Sequence, residues 1–279
     1  MKNVRRIAAI VLAAALCLML GACKTNTGVE DKVLTVAMEC AYAPYNWAQP
    51  TDANGAVPIK GSNLYANGYD VMTAKAICEA NGWKLEIVQS DWDSLIPAVQ
   101  SGTVDAVIAG QSMTSERMEV VDFAGPYLYA TIVCLTRKGT AFENAKGIND
   151  LAGGSCTSQS GTIWYDSCLP QIPNAQIQAP ASDAPAMLMA LASGAVDFVC
   201  TDMPTAQGAL LVYPEFVLLD FAGGGNDFEV SEEEINIGIS VRKGNTTLLN
   251  AINKYFQGKT ADDFNALMEE AIRIQPIEE

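Results

Sequence analysis

The chain contains no histidine. That removes Ser-His-Asp and Cys-His catalytic machinery, and with it the commonest zinc ligand. There is no Cys-x-x-Cys and no Gly-x4-Gly-Lys-Ser/Thr phosphate loop. Gly223-Gly224-Gly225 precedes an acidic stretch instead of joining a strand to a helix, so it does not read as a nucleotide cradle. Positive charge is scarce: 17 Lys+Arg stand against 32 Asp+Glu, a formal net charge of −15. Such a surface repels nucleic acid and anionic headgroups. It suits a cationic or zwitterionic ligand, and equally a surface charged only for solubility. These absences leave no expected catalytic residue, metal or cofactor.

The first residues read as an address. Lys2, Arg5 and Arg6 precede a run of 16 apolar or small residues, Ile7 to Ala22. That run is short of the roughly 20 residues that span a bilayer as a helix. It ends in Leu20-Gly21-Ala22-Cys23, which resembles the bacterial lipobox. The expectation is a lipoprotein signal peptide over 1–22, a lipidated Cys23 and a polar tether over 23–31; the plainer alternative is a secretory signal with an incidental cysteine. The product would be extracytoplasmic, held at the bacterial cell membrane. Beyond Cys17 and Cys23, the chain carries Cys40, Cys78, Cys134, Cys156, Cys168 and Cys200. Six cysteines allow 15 full pairings. Their apolar contexts favour buried free thiols, and Cys156 with Cys168 is the pair to test first.

What the sequence does have is a segment written nearly twice. Ala98-Val-Gln-Ser-Gly-Thr-Val-Asp-Ala-Val-Ile-Ala-Gly110 recurs as Ala190-Leu-Ala-Ser-Gly-Ala-Val-Asp-Phe-Val-Cys-Thr-Asp202, with six of thirteen positions identical. Each copy reads as a helix end, a Ser-Gly stop and a short buried strand. Strands alternating with helices belong in a parallel sheet. Two similar α/β lobes follow, 32–133 with 237–279 and 134–236, each a mostly parallel sheet flanked by helices. Two β-prone runs, Tyr127–Leu135 and Ile235–Val241, would cross between them as a hinge. Other expected elements are a helix over Asp70–Ala80 ended by Asn81-Gly82, a helix capped by Ser182, a mobile loop over Phe221–Glu234 and a helical stretch over Thr246–Ile274.

Open α/β sheets bind ligands off the carboxyl ends of their strands. After the first repeat strand come Ala109-Gly-Gln-Ser-Met-Thr-Ser-Glu-Arg117. Gly110 permits close approach to backbone N–H groups. Ser112 adds a hydroxyl, Thr114 opens a helix, and Arg117 offers a fork that matches a carboxylate. Gly161-Thr162 repeats the anion-friendly pattern at another helix start. Asp202 ends the second repeat strand and suits an ammonium group. Arg117 on one lobe and Asp202 on the other would read a zwitterion. Duller readings stand beside these. Arg117 could pair with Glu116 or Glu119, Asp202 could cap the turn before Pro204, and Asp105 and Asp197 read as structural residues at strand starts. Tyr42 and Trp92 could be core aromatics or cleft walls that stack on a ligand.

The runs Asp91–Gly110, Met113–Arg117 and Val121–Tyr127 resemble the family 3 bacterial extracellular solute-binding proteins, which serve ABC importers of polar amino acids. Tyr42-Ala-Pro-Tyr45, Gly68-Tyr-Asp70, Gly161-Thr162, Ser193–Asp197 and Asp202 match further motifs. The resemblance implies a two-lobed type II periplasmic-binding-protein fold that closes about a hinge. It implies that Arg117, Ser112, Gly110 and the Ala109 backbone hold an α-carboxylate, helped by Gly161 and Thr162. Asp202 would take the α-ammonium, and Tyr42 and Trp92 would sandwich the side chain. Glu39 falls where family members carry an acidic residue at the distal end of the ligand, a lean towards Arg, Lys or ornithine. The implied partner is an ABC permease and the implied state a monomer. The chain departs from the family pattern in Met72, in a long Pro50–Asn67 loop that could bring Tyr45 or Trp47 inward, in the 221–234 insert and in its last 30 or so residues. The same fold also carries a cyclohexadienyl or arogenate dehydratase activity, which would need a carboxylic acid such as Glu39 or Asp202 as proton donor.

Overall fold

A computed structural model describes residues 32–276. The expected signal peptide, Cys23 and the tether lie outside them. The chain opens with β1 (Val33–Met38), then a small antiparallel sheet of β2 (Ala41–Tyr42), β3 (Asn46–Gln49), β4 (Val57–Pro58) and β5 (Tyr65–Asn67). Helix α1 (Tyr69–Asn81), β6 (Lys84–Gln89), α2 (Trp92–Ser101), β7 (Ala106–Ser112), α3 (Ser115–Val120) and β8 (Val121–Tyr129) follow. The second half holds β9 (Ile132–Arg137), β10 (Ser155–Thr157), β11 (Gln176–Ile177), α4 (Ala184–Ala192), β12 (Phe198–Asp202), α5 (Met203–Val212) and β13 (Phe216–Leu219). The chain ends with α6 (Glu232–Ile235), β14 (Asn236–Arg242), α7 (Thr246–Phe256) and α8 (Ala261–Ile274).

Two five-stranded sheets result, in the orders β6-β1-β7-β14-β8 and β11-β10-β12-β9-β13. The repeat strands β7 and β12 take the same central place in each. β1, β6 and β7 run parallel with β14 antiparallel beside them; β10, β11 and β12 run parallel with β9 antiparallel beside them. The strand that arrives from the other half is thus the reversed one in each sheet. The two crossings lie side by side, with Ala130 N–H donating to Ile235 C=O at 2.8 Å.

The repeated Asp explains itself in register. Thr35 N–H donates to Asp105 Oδ2 at 2.9 Å, and Ser155 N–H donates to Asp197 Oδ2 at 2.8 Å. Each carboxylate ties the central strand to its parallel neighbour, so these are structural residues. Helix ends follow local chemistry too. Gly82 and Gly102 close α1 and α2 in the left-handed conformation that glycine takes without strain. Asp183, not Ser182, caps α4, accepting from Ala186 N–H at 2.8 Å. Its carboxylate is the stronger acceptor of the two. The Thr246–Ile274 stretch is two helices, because Gly258 takes φ +83° and Thr260 starts a new capping box.

The core alternates as the pleat demands. On β9, Val133 and Leu135 face Met187 and Leu191 of α4, while Cys134 faces the opposite layer. All six described cysteines are free and buried. The Cys200 thiol lies within hydrogen-bonding reach of Cys134 and Cys168, so Cys168 has Cys200 beside it. The segment expected to be a mobile loop at 221–234 is pinned instead. Phe221 and Phe228 are buried, Gln171 and Glu229 exchange two hydrogen bonds, and Asn226 accepts from the Asn149 N–H. Its two aromatics were the overlooked signal: an insert that buries two phenylalanines has an anchor.

Candidate functional site

The strand β7 runs further than its hydrophobic pattern suggests, through Ser112, with a break in register against β14. Ala109, Gly110 and Ser112 are therefore strand residues with a kink among them, not a loop. Gly110 sits at φ +63°, and a Cβ there would lie 2.8 Å from Tyr42 Cε1 and 3.2 Å from Tyr45 Cδ1. Its own N–H donates to the Tyr127 hydroxyl at 3.1 Å. The close approach that glycine permits is thus an approach by two tyrosine rings. Gly110→Ala combines a left-handed backbone with overpacking, and is expected to destabilise the fold by about 2–5 kcal/mol in a denaturant melt.

Tyr42, Trp92, Gly110, Ser112, Arg117 and Thr162 line one crevice between the two sheets. Arg117 projects from α3, whose amino end is capped by Thr114. Its guanidinium donates to Ser112 C=O at 2.9 Å and, across the crevice, to Gly161 C=O at 3.0 Å. It also lies over the Trp92 ring, 5.4 Å from the centroid. Burial pulls its pKa down, against the pull of Glu116 and Asp166. Among the described residues it makes no salt bridge, neither with Glu116 nor with Glu119. Its acceptors are neutral carbonyls, which leaves a cation suited to an anion.

Asp202 does two jobs. Its Oδ1 caps α5, accepting from Thr205 N–H at 2.9 Å. Its Oδ2 accepts from Tyr42 Oη at 2.8 Å and Tyr45 Oη at 3.0 Å, both from the first half of the chain. The carboxylate is covered by those hydroxyls and reaches the crevice through Tyr42. Tyr42 and Tyr45 stack at 4.5 Å between centroids. Burial raises the Asp202 pKa, and its hydrogen bonds from Thr205, Tyr42 and Tyr45 resist that rise.

Gly161 and Thr162 stand across from Arg117. They open a single π-helical turn, Trp164–Cys168, where a full helix was expected. Thr162 is buried, and its hydroxyl donates to Gln159 C=O at 2.7 Å. Glu39 lies on the far side of Trp92, in an adjoining chamber. Gln159 Nε2 donates to Glu39 Oε1 at 3.1 Å, while Glu39 Oε2 is buried with no hydrogen-bond partner. Desolvation, abetted by Asp183, Asp70 and Asp91, pushes the Glu39 carboxyl up to about 8. The Gln159 hydrogen bond opposes the shift.

Sequence reasoning did not name Gln159, Ile163 and Trp164, which also line the crevice. Gln159 was findable, since it follows the carboxyl end of β10, where such sheets bind. Nor did it find the support behind Gly110. Tyr127 Oη donates to Asp70 Oδ1 at 2.6 Å, and Asn46 Nδ2 donates to Asp70 Oδ2 at 2.7 Å. Asp70 is wholly buried, and burial lifts it to about 7. Nothing local in the sequence pairs these residues. The Pro50–Asn67 stretch is not one long loop, since it holds β4 and β5 of the small sheet. Tyr45 is wholly buried with its hydroxyl on Asp202, whereas Trp47 packs elsewhere, in an apolar groove with Leu188 and Tyr213. Among the described residues, no group of three or more Cys, Asp or Glu could hold a metal ion.

The model of the bacterial extracellular solute-binding proteins, family 3, matches residues 34–272, well into the final helix. A probable histidine-binding protein of Campylobacter jejuni is 30% identical over 194 residues, 70% of this chain and 68% of that one. An amino acid ABC transporter substrate-binding protein from Streptococcus pneumoniae, solved bound to L-arginine, superposes with a TM-score of 0.73 at 25% identity, covering 90% of this chain and 98% of that one. An ancestral amino acid-binding protein described as a precursor of cyclohexadienyl dehydratase superposes with a TM-score of 0.70 at 27% identity, covering 89% and 99%. The architecture of two sheets and two crossings is that of the type II periplasmic binding proteins.

Proposed function

This chain belongs to the bacterial extracellular solute-binding proteins of family 3, and from that premise we propose that it is an extracytoplasmic receptor for a polar amino acid. It grips the ligand by α-carboxylate and α-ammonium and delivers it to an ABC importer. The observation that carries this reading is the opposed pair of poles: an arginine with only carbonyl acceptors on one half, and a buried carboxylate on the other. Lipidation of Cys23 would keep the receptor at the membrane, and a monomer suffices for the task.

The crevice holds only about 10 Å³ of free space, room for about one water and too little for an amino acid. Entry therefore requires the halves to part. The Tyr42–Asp202, Tyr45–Asp202, Gln159–Glu39 and Arg117–Gly161 bonds all cross the crevice and must break together. An amino acid replaces them with charge-assisted ones. Its carboxylate takes the Arg117 fork and the Ser112 hydroxyl, and its ammonium takes Asp202. Trp92 and Tyr42 enclose the side chain. Closure then depends on the ligand's preference for the closed state. A micromolar affinity corresponds to about −8.2 kcal/mol, within reach of a few charge-assisted bonds plus aromatic burial.

One observation favours a second reading. Glu39, held protonated up to about 8, is in the form a general acid needs. A dehydratase would use it to protonate a leaving hydroxyl. Titration calorimetry of the mature protein against the twenty amino acids, ornithine and prephenate separates the two. One tight amino-acid class with no prephenate turnover supports the receptor; turnover of prephenate with no amino-acid heat replaces it with the enzyme.

A further inference from the structure

The final helix reaches across to the other half of the molecule. Phe264, Met268 and Ala271 form its buried face, and α8 packs with it against α1 and β8 of the first half. The Phe264 ring also lies 6.5 Å from that of Tyr129, beside the first crossing. Just past α8, Gln275 is only 6% exposed and donates from Nε2 to Gly208 C=O at 3.0 Å. Gly208 belongs to α5, the second-half helix that Asp202 caps. Glycine is a poor helix former, yet here it stands in a helix interior. A Cβ at 208 would lie 2.8 Å from Gln275 Oε1 and 3.1 Å from Nε2. The glycine thus makes a seat for this amide. Pro276 follows, lining a groove with Trp47 of the small sheet and with Leu188 and Tyr213 of the second half. Gln275 and Pro276 both fall beyond residue 272, where the family match ends.

Two opposed effects meet in the seat. Nε2 gains one neutral bond. Oε1 is buried with no hydrogen-bond partner. Leaving a buried acceptor unmade costs more than a neutral bond contributes. Seating the amide therefore carries a net cost, which parting the halves relieves by hydrating both atoms. The crevice works the other way, where four bonds draw the halves together. We infer that Gln275, seated on Gly208, is a brake on closure: it shifts the balance of the two halves towards the open form, so that closing depends on the ligand. The inference rests on the amino-acid receptor reading and adds a regulatory residue outside the crevice that touches no ligand.

Affinity carries the mark of such a brake. A ligand held by the closed form binds more weakly in proportion to how rarely that form is reached. Releasing the brake should tighten every amino acid that binds by the same factor, because Gln275 meets none of them. The order of preference among amino acids should not change. Either residue of the seat can release it. Gln275→Met keeps the length and flexibility of the side chain without its amide. Gly208→Ala evicts the amide, which is the flexible end of its side chain, and improves the helix. Both act on one contact, so their effects should not multiply.

The mature protein, Gln275→Met, Gly208→Ala and the double variant are compared by calorimetry against the twenty amino acids and ornithine. Small-angle scattering without added amino acid reads how far the halves are closed, and thermal melts check the folds. Each single variant is expected to bind about threefold to tenfold more tightly, the size of the gap between a stranded acceptor and a neutral bond. The double variant should bind no more tightly than the better single one. The radius of gyration should fall in all three. Weaker binding in Gln275→Met makes the seat a clasp and overturns the brake. Unchanged affinity and unchanged scattering in both single variants also overturn it, since the seat then does not move with closure. Effects that multiply in the double variant show two separate actions and overturn the pairing of Gln275 with Gly208. If no amino acid binds, the receptor reading fails, and the radius of gyration alone decides whether the brake survives.

Discussion

Arg117→Ala is expected to weaken amino-acid binding at least about 100-fold, while the melting temperature of the protein changes by only a few degrees. The guanidinium sits half-buried between two carbonyls and an indole face. Carbonyl oxygens carry partial charge only, so this environment holds the cation without neutralising it. Under the proposed function, a ligand carboxylate would supply the missing charge in a bidentate geometry that the fork matches. Removing one member of a buried charge pair typically costs about 2–5 kcal/mol, which is roughly 30-fold to several thousandfold in affinity. The stability cost is smaller. The side chain projects from the six-residue helix α3, and its loss forfeits two hydrogen bonds of about 0.5–1.5 kcal/mol each. One of them, to Gly161, exists only while the halves are together. Arg117→Lys retains the charge but loses the fork, and should fall between the wild type and alanine. Calorimetry with the preferred amino acid and a parallel thermal melt read both quantities. Binding within threefold of the wild type in the alanine variant would show that the carboxylate is held elsewhere.

What could be read from the sequence depended on whether the determining interaction was local. The internal repeat exposed both lobes because β7 and β12 occupy equivalent central positions, and equivalent burial selects similar residues. The helix stops at Gly82 and Gly102 were legible because a left-handed residue is a local demand. The role of Gly110 was half-read. Its freedom from a Cβ was visible, but the groups that use the space are rings from 65 and 68 positions upstream. The Asp70–Tyr127–Asn46 support and the Gln159–Glu39 bridge were invisible for the same reason, since their partners meet only in three dimensions. The strand β7 outran its predicted end because pairing with β14 holds polar Gln111 and Ser112 extended, where local hydrophobicity alone would stop the strand. Asp202 was assigned two competing roles, cap or ligand contact. A carboxylate has two oxygens, and the structure uses one for the cap and turns the other towards the first half of the chain.

That division of labour makes Asp202 the second decisive position, and two substitutions there should behave differently. Asn caps a helix about as well as Asp. In Asp202→Asn, the Thr205 N–H keeps its acceptor, and the amide Nδ2 can donate to the Tyr42 or Tyr45 oxygen. Melting should therefore change little. Binding should still fall about 100-fold or more, because an amide offers no negative charge to an ammonium and presents its N–H towards a donor. Alanine removes everything at once. The cap is worth about 0.5–2 kcal/mol. The two tyrosines, 2% and 0% exposed, are left with buried hydroxyls, each costing about 1–3 kcal/mol if nothing replaces the bond. Asp202→Ala should thus lose binding and also several kcal/mol of stability in a denaturant melt. The contrast is the test. If Asn binds ligand normally while Ala merely unfolds, Asp202 is a cap and no more, and the ammonium must find its anion at another carboxylate. If Asn stays folded and cannot bind, the charge itself is what the second half contributes.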